Sequence, residues 1–530
     1  MTGIEKTDGM KIEDLAGETI FASVQDEKLT EKERELVGIL KPGGFVLFSH
    51  NLVNMGNARS FCEELTSIVL SGRGRRPFIA VDQEGGQVIR LPRPASHIPS
   101  MMAIGATRDP LNAFRVALIV SIELRAIGMN MNFAPVLDIN TNPDNPVIGT
   151  RSFGENPELV TKFGSKYIEG LKQGKILSVA KHFPGHGDTS IDSHSALPIV
   201  EHGLERLESV EMKPFYSAIK HDVDGIMVSH VAVPSVDPSG LPSSLSEKVV
   251  SGILRNRAAF QGLIITDSLG MKAVSDEYDI EEASTKAIEA GNDMILGCSS
   301  LDKALDVRTA IVRRARKDSS FLRRLKSSVR RILHLKDTKL GNFRKPTTSV
   351  IGCQSHYKEI QRIVERSVST VWNQGALALR ANSRICFVIP SDVSAYSQMI
   401  KEAISKHFAG IDKRIFEQLD PNFRESALLS RSIDFDAFVA FSIDLHKKQL
   451  QAEFLGKLIK NLPNTMVIAI NSPYDIRRLP PPRAYIATHS PDPFSIEFAI
   501  RSLSAMPNRK KEQAFRFVDR PISFKADSRG

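Results

Sequence analysis

The feature that most constrains the fold is an alternation of short apolar runs with helix-like stretches through the first 340 residues. The runs are rich in Val, Ile and Phe and do not alternate strictly with polar residues, which is typical of parallel strands buried on both faces. Repeated strand–helix alternation of this length predicts a (β/α)8 TIM-type barrel. The predicted strands are 43–49, 78–82, 131–139, 177–183, 225–232, 263–269 and 293–297, with 18–24 as the candidate eighth.

A second, smaller region of the same kind follows a linker at 345–350. A chain of 530 residues exceeds what one hydrophobic core usually supports, so two domains are expected. The apolar runs of this region predict parallel strands of an α/β/α three-layer sandwich; they lie at 384–390, 436–442, 466–472 and 484–490. The predicted organisation is a catalytic barrel at 10–340, an accessory sandwich at 350–515 and a polar tail at 516–530.

Composition favours a soluble cytoplasmic protein. Hydrophobic residues make up 42% and charged residues 25% of the chain. The amino terminus has no apolar signal region, and no apolar run is long enough to span a membrane.

The formal net charge is +9, and much of the basic excess lies in a predicted amphipathic helix at 313–336. The basic face of this helix is either only solvated or attracts an anionic polymer. No nucleic-acid-binding motif is present. The cysteines are scattered, as suits a reducing compartment: Cys62, Cys298, Cys353 and Cys386.

Polar and charged residues gather where the predicted barrel strands end. In a TIM barrel the carboxyl ends of the strands meet at one rim, and active sites lie there. The sequence therefore predicts a single site built from several strand ends. The residues concerned are Asp82, Glu84, Asp138, Lys181, His182, Ser229, His230 and Asp267.

The densest polar segment is KHFPGHGDTSIDSHSALP, at 181–198. Its Gly and Pro residues indicate a long loop rather than a helix. The His and Asp residues of the loop could be metal ligands, or Asp192 and His194 could form an acid/base dyad, or they could only hydrogen-bond within the loop. The cationic Lys181 disfavours a divalent ion beside it, and no metal or other cofactor is expected.

Four segments then resemble family 3 glycoside hydrolases, specifically their β-N-acetylglucosaminidase branch. They are VDQEGGQVIRL (81–91), NFAPVLDINTNPDNPVIGTRSFG (132–154), LSVAKHFPGHGDTSIDSH (177–194) and TDSLGMKA (266–273). They occur in the family's order and span most of residues 10–340. The second half of the chain resembles the family's accessory sandwich domain more loosely.

The resemblance implies a role for each site residue. Asp267 matches the nucleophile, His194 the acid/base and Asp192 the partner of that histidine. Substrate binding falls to the remaining rim residues, with Arg90 either contacting the sugar, holding Asp82 or pairing with Glu84. Asp138 is expected only to shape its loop. The predicted substrate-binding set is Asp82, Arg90, Arg151, Lys181, His182 and His230.

The function that these matches imply is a retaining exo-β-N-acetylglucosaminidase acting on a carbohydrate, with peptidoglycan fragments as the expected substrate. A β-glucosidase of the same family is an alternative, but its nucleophile motif would read Ser-Asp-Trp, whereas this chain has Thr266-Asp267-Ser268. Phosphorolysis is a second alternative, since a histidine acid/base need not repel an attacking phosphate. A metal-dependent hydrolase and an inactive binding module are the alternatives from other classes.

Overall fold

The computed structural model describes residues 7–374, 383–419 and 434–504. Within these residues the chain forms two compact units. The first contains 7–98, 109–148 and 155–357. The second contains 99–108, 149–154 and the described residues from 358 onward, so two short segments of the predicted 10–340 range group with the second unit. The predicted tail at 516–530 lies outside the described residues.

The first unit is an eight-stranded parallel sheet in sequential order, which confirms the predicted barrel. An isolated parallel bridge between Ile20 and Ile295 joins the region of the first strand to that of the last. The candidate strand at 18–24 supplies the eighth strand. The strands are β1 (Phe21–Ala22), β2 (Gly44–Leu47), β3 (Phe78–Val81), β4 (Met131–Asn132), β5 (Leu177–Phe183), β6 (Gly225–Val228), β7 (Leu263–Ser268) and β8 (Met294–Leu296).

Helices follow the barrel strands, and their ends are set by local side chains. Thr30 and Glu33 form a reciprocal capping box, and Asn156 caps a helix that begins with Pro157, a residue suited to the first helical position. The α-helices of this unit are Ile12–Glu18, Glu31–Leu40, Met55–Arg73, Leu111–Ala126, Pro157–Gln173, Leu204–Ser209, Lys213–Lys220, Lys272–Ser275, Ile280–Ala290, Leu301–Lys317, Ser319–Leu335 and Gln354–Ser367, the last of which continues into the second unit. A π-helix spans Lys248–Arg257 and another Lys336–Leu340.

The basic stretch predicted as one helix at 313–336 is divided between two helices. Asp318 lies between them with an extended backbone, and its carboxylate accepts hydrogen bonds from the backbone N–H groups of Ser320 and Phe321. An Asp at this position satisfies N–H groups that would otherwise lack partners, so it begins a new helix. Within the described part of the chain, no helix combines the length and the apolar character needed to cross a bilayer.

Apolar side chains fill the barrel interior below the rim. The cluster draws on every strand of the sheet, so the interior is a packed core rather than a channel. It comprises Phe21, Val46, Phe78, Ala80, Met131, Phe133, Leu177, Val179, Met227, Leu263, Ile265, Met294 and Leu296, together with Ile332 and Leu340. Polar groups at the strand ends are thereby held on a rigid base.

The second unit is a six-stranded sheet with helices on both faces, as the predicted sandwich requires. Four strands match the predicted runs: β10 (Ile385–Pro390), β12 (Ala437–Ser442), β13 (Thr465–Ala469) and β14 (Ala484–Ala487). Two further strands, β9 (Ser369–Asn373) and β11 (Lys413–Leu419), lie at the edges in the order β11-β10-β12-β13-β14-β9, and β9 is antiparallel. The helices are Met101–Ala106, Ser397–His407, Gln449–Asn461 and Pro493–Ser504.

Candidate active site

A buried ion-pair cluster lies at the rim, where β3 and β5 end. Lys181 Nζ lies 2.5 Å from Asp82 Oδ1 and 2.6 Å from Glu84 Oε1. The side chains of Lys181 and Glu84 are almost wholly buried, whereas that of Asp82 is 19% exposed. Charge-assisted hydrogen bonds of this kind are strong. Asp82 is therefore held in place with part of its carboxylate accessible.

Substituting Lys181 by Met is expected to lower the free energy of unfolding by about 3–5 kcal/mol, because two neighbouring carboxylates then lose their buried cation. Denaturant unfolding at pH 7 would measure this. Lys181→Arg is the matched control, since it keeps the positive charge and should be less destabilised. Equal stability of Lys181→Met and wild type would contradict a charge-dependent cluster.

Asp138, expected only to shape its loop, is fully buried beneath the site. Its carboxylate accepts from the Nδ1–H of His182 at 2.6 Å and from the backbone N–H of His186 at 2.7 Å. Burial acts to raise the pKa of Asp138, but the two histidines and the donated hydrogen bonds lower it overall. Asp138 thus stays ionised and fixes the ring orientation of His182, one of the predicted substrate-binding residues.

Asp267 lies near the end of β7 and is partly exposed at the rim. Burial acts to raise the pKa of its carboxyl, but the His182 and His230 side chains lower it overall. The Ser268 N–H, 2.7 Å from Asp267 Oδ1, and the charge of Lys181 act in the same direction. The carboxylate is therefore ionised at neutral pH, the state that a nucleophile requires.

His230 is fully buried, and both of its ring nitrogens hydrogen-bond within the protein. Nε2 lies 2.9 Å from the Ser268 carbonyl oxygen, which can only accept, so Nε2 carries the proton. Nδ1 consequently accepts from the Ser244 hydroxyl at 2.7 Å. Burial lowers the pKa of His230 and favours this neutral form. Both ring nitrogens are thus engaged within the protein, in place of the predicted contact with the sugar. His230 instead supports the backbone that follows Asp267.

The loop after β5 presents Asp192 and His194 as a hydrogen-bonded pair. His194 Nδ1 lies 2.7 Å from Asp192 Oδ1, which also accepts from the His194 backbone N–H. The His194 side chain is 63% exposed and that of Asp192 is 32% exposed. Partial burial acts to raise the pKa of Asp192, but its hydrogen bonds from His194 lower it overall. The dyad thus combines an ionised carboxylate with an imidazole whose other nitrogen points away from that carboxylate.

The same loop is tied to the segment that follows Asp267. The Ala273 N–H donates to the Ser193 carbonyl oxygen at 3.2 Å. Asp267 and His194 also both act electrostatically on His230, Asp267 raising its pKa and His194 lowering it. The two predicted catalytic side chains are therefore brought to one part of the rim.

Two predicted binding residues remain, Arg90 and Arg151. Arg90 is partly exposed; its backbone N–H donates to Gln83, and its Nε atom is buried without a hydrogen-bond partner. The alternative ion pair between Arg90 and Glu84 is not formed, because Glu84 pairs with Lys181 instead. Arg151 ends the short helix Gly149–Arg151, in a segment that belongs to the second unit. Among the described residues, no group of three or more His, Cys, Asp or Glu is arranged to hold a metal ion.

The barrel unit matches a known protein family, and named relatives share its sequence. Residues 9–335 match the glycosyl hydrolase family 3 N terminal domain. A protein named beta-hexosaminidase A from Pseudoalteromonas piscicida is 32% identical over 422 residues, which cover 74% of this chain and 70% of that protein. A beta-hexosaminidase from Idiomarina loihiensis is 34% identical over 298 residues, which cover 55% of this chain and 87% of that protein.

Among solved structures, a glycoside hydrolase family 3 beta-N-acetylglucosaminidase from Paenibacillus sp. str. FPU-7 superposes with a TM-score of 0.85 at 30% sequence identity. The alignment covers 94% of this chain and 97% of that one, so it includes both units of the fold. The family match extends over more than half of the chain and contains every barrel strand. The chain therefore belongs to glycosyl hydrolase family 3 and is a glycoside hydrolase.

Proposed function

We propose that the chain is a retaining exo-β-N-acetylglucosaminidase in which Asp267 is the nucleophile and His194 the general acid/base. The observation that carries this proposal is the pairing, at one rim, of an ionised carboxylate with an exposed imidazole. Retaining glycosidases use two groups on opposite sides of the anomeric carbon, and in most of them both are carboxylates. Here the second group is the imidazole of His194, held by Asp192 at 2.7 Å.

In the first step an oxygen of Asp267 bonds to the anomeric carbon while the glycosidic C–O bond breaks. The leaving oxygen takes a proton from His194 Nε2, because Nδ1 is engaged with Asp192. The product is a glycosyl ester of Asp267. In the second step neutral His194 removes a proton from water, the water oxygen bonds to the same carbon, and Asp267 departs as a carboxylate. Asp192 stabilises the imidazolium form of His194.

The remaining rim residues bind and orient the sugar in this proposal. Asp82, held by Lys181 but still partly exposed, accepts from sugar hydroxyls. His182, whose Nδ1 is engaged by Asp138, presents Nε2 to the substrate. Arg90 and the Nζ donors of Lys181 complete the binding set on the barrel, and the binding role of Arg151 stays a prediction. His230 acts indirectly, by supporting the backbone that carries Asp267.

The preference for N-acetylglucosamine rests on the similarity to proteins named beta-hexosaminidase and beta-N-acetylglucosaminidase. Peptidoglycan fragments are the proposed natural substrate, because such fragments carry carboxylates and the net charge of +9 attracts anionic ligands. A cytoplasmic location, inferred from the scattered cysteines, fits the breakdown of imported wall fragments.

A substrate panel tests this proposal. We expect release of the aryl group from an aryl N-acetyl-β-glucosaminide and cleavage of a disaccharide muropeptide, with little release from the matching aryl β-glucoside. Proton NMR of the reaction should show the β-anomer of the sugar first, as retention demands. A faster reaction with the β-glucoside would overturn the sugar assignment, and an α-anomer formed first would overturn the two-step mechanism.

Phosphorolysis is a second candidate, favoured by the exposed His194 where most glycosidases place a carboxylate. An imidazole does not repel an approaching phosphate dianion, so phosphate could replace water in the second step. The expected result in millimolar phosphate is formation of N-acetylglucosamine 1-phosphate, detected by phosphorus NMR. Sulfate at the same ionic strength is the control, and release of free sugar alone in phosphate would exclude this candidate.

A further inference from the structure

His186 is a buried histidine that the proposed chemistry does not use, and its hydrogen bonds define its tautomer. The Thr189 hydroxyl donates to the His186 carbonyl oxygen at 3.0 Å, so the Thr189 oxygen accepts from His186 Nδ1 at 2.7 Å. With its proton on Nδ1, the ring offers Nε2 as an acceptor. The Ser193 hydroxyl lies 3.0 Å from Nε2 and therefore donates to it. Burial lowers the pKa of His186 to about 4, so the ring is neutral at working pH.

The backbone around His186 is fixed independently of its ring. Its N–H donates to Asp138 at 2.7 Å, and its carbonyl oxygen accepts from the Asn145 amide at 2.9 Å. The neighbouring Gly187 packs so closely that a Cβ there would lie 1.8 Å from the Ile139 carbonyl oxygen. His186 is thus anchored to the barrel rim, and its ring extends from a rigid base.

Ser193 is held by two hydrogen bonds, one through its side chain and one through its backbone, whereas its neighbours in the chain are more exposed. Its side chain is buried and bonds to His186 Nε2, and its carbonyl oxygen accepts from the Ala273 N–H. Asp192 and His194 flank it and project from the loop, with the His194 side chain mostly exposed. Among the described residues, the side chains of Asp192 and His194 hydrogen-bond only with each other and with the His194 backbone. The position of Ser193 between them therefore determines where His194 lies.

We propose that His186 is a positioning residue for the acid/base, fixing His194 over the anomeric region through its hydrogen bond to Ser193. This inference rests on the proposed role of His194. Proton transfer requires the acid to reach the leaving oxygen within hydrogen-bonding distance, and a displacement of about 1 Å can cost about 100-fold in rate. Loss of the His186–Ser193 bond should therefore impair protonation of the leaving group and spare the attack by Asp267.

The test compares two substitutions of His186. His186→Asn keeps an amide N–H near the Nδ1 position for Thr189 but removes the acceptor for Ser193, whereas His186→Gln can place an amide oxygen near the Nε2 position. We expect His186→Asn to slow cleavage of an unactivated disaccharide about 30- to 100-fold and of a dinitrophenyl N-acetyl-β-glucosaminide only a few-fold. His186→Gln should recover most of the loss on the disaccharide.

A double-mutant cycle separates positioning from general damage. Ser193→Ala should show the same substrate selectivity as His186→Asn, and the double variant should be little worse than either. Ser121→Ala removes another buried hydroxyl, remote from the rim, and should leave the ratio of the two rates unchanged. Equal losses on both substrates, additive losses in the double variant or no rescue by His186→Gln would each overturn the proposal.

His194→Ala, measured in the same assays, keeps the two hypotheses distinct. If that variant loses activity equally on both substrates, the role proposed for His194 fails. If His194→Ala is selective and His186→Asn is not, only the positioning role of His186 fails. Thermal unfolding of each variant shows whether a loss arises from the fold, and His186→Gln, which keeps an acceptor for Ser193, provides the comparison if His186→Asn is unstable.

Discussion

Replacing Asp267 by Asn is expected to reduce turnover on the order of 10⁴-fold or more while the barrel remains folded. The amide is nearly the size of the carboxylate and can still accept from the Ser268 N–H at 2.7 Å. It cannot form the glycosyl ester, and it carries no charge to oppose the positive charge that develops on the sugar ring. Steady-state rates on an aryl N-acetyl-β-glucosaminide measure the loss, and denaturant unfolding checks the fold.

The stereochemistry of chemical rescue tests the role of Asp267 more sharply than the loss itself. In Asp267→Gly, azide can occupy the vacated space and attack the β-glycoside from the same face as the missing carboxylate, giving the α-glycosyl azide. Asp276→Asn is the matched control, because Asp276 is exposed nine positions further along the chain and takes no part in the site. A tenth of wild-type activity in Asp267→Asn, or rescue that yields the β-azide, would show that another group is the nucleophile.

The barrel was predictable because burial on both faces leaves a strong pattern in the sequence. The residues at which individual strands end were harder to predict. The apolar run at 131–139 predicts one strand, yet β4 is only Met131–Asn132. Pro135 lacks an N–H for the ladder, and beyond it only an isolated bridge joins Val136 to Lys181. This early end to the ladder lets Asp138 turn inward, where it accepts hydrogen bonds from the following strand end.

The candidate catalytic residues could be found from their motifs, but the partners that orient them could not. Glu84 and Lys181 are 97 positions apart, and nothing local in either segment indicates that they pair. Burial favours the neutral form of His230, and its Nδ1 accepts from Ser244, which lies in the loop after β6. A histidine at a strand end predicts a substrate contact, but only the three-dimensional arrangement shows that both of its nitrogens are already engaged.

His194→Ala is expected to lower the rate on an unactivated disaccharide by about 10²- to 10⁴-fold and on a dinitrophenyl glycoside far less. An alkoxide leaving group is strongly basic and needs the proton that Nε2 supplies, whereas dinitrophenolate departs without one. A plot of log kcat/KM against leaving-group pKa should therefore become steeper in the variant than in the wild type. The measurement needs a series of aryl glycosides assayed at one pH.

His202→Ala is the matched control, because His202 also pairs with a carboxylate, Asp188, at 2.7 Å. Asp188 accepts a hydrogen bond from Thr141, so this second His–Asp pair joins the loop to a neighbouring segment rather than presenting an exposed proton donor. Its loss should affect all leaving groups alike. If His194→Ala gives an equally flat plot, the imidazole only shapes the loop; if its slope alone rises, the exposed member of an Asp–His pair supplies the proton that most other retaining glycosidases take from a carboxylic acid.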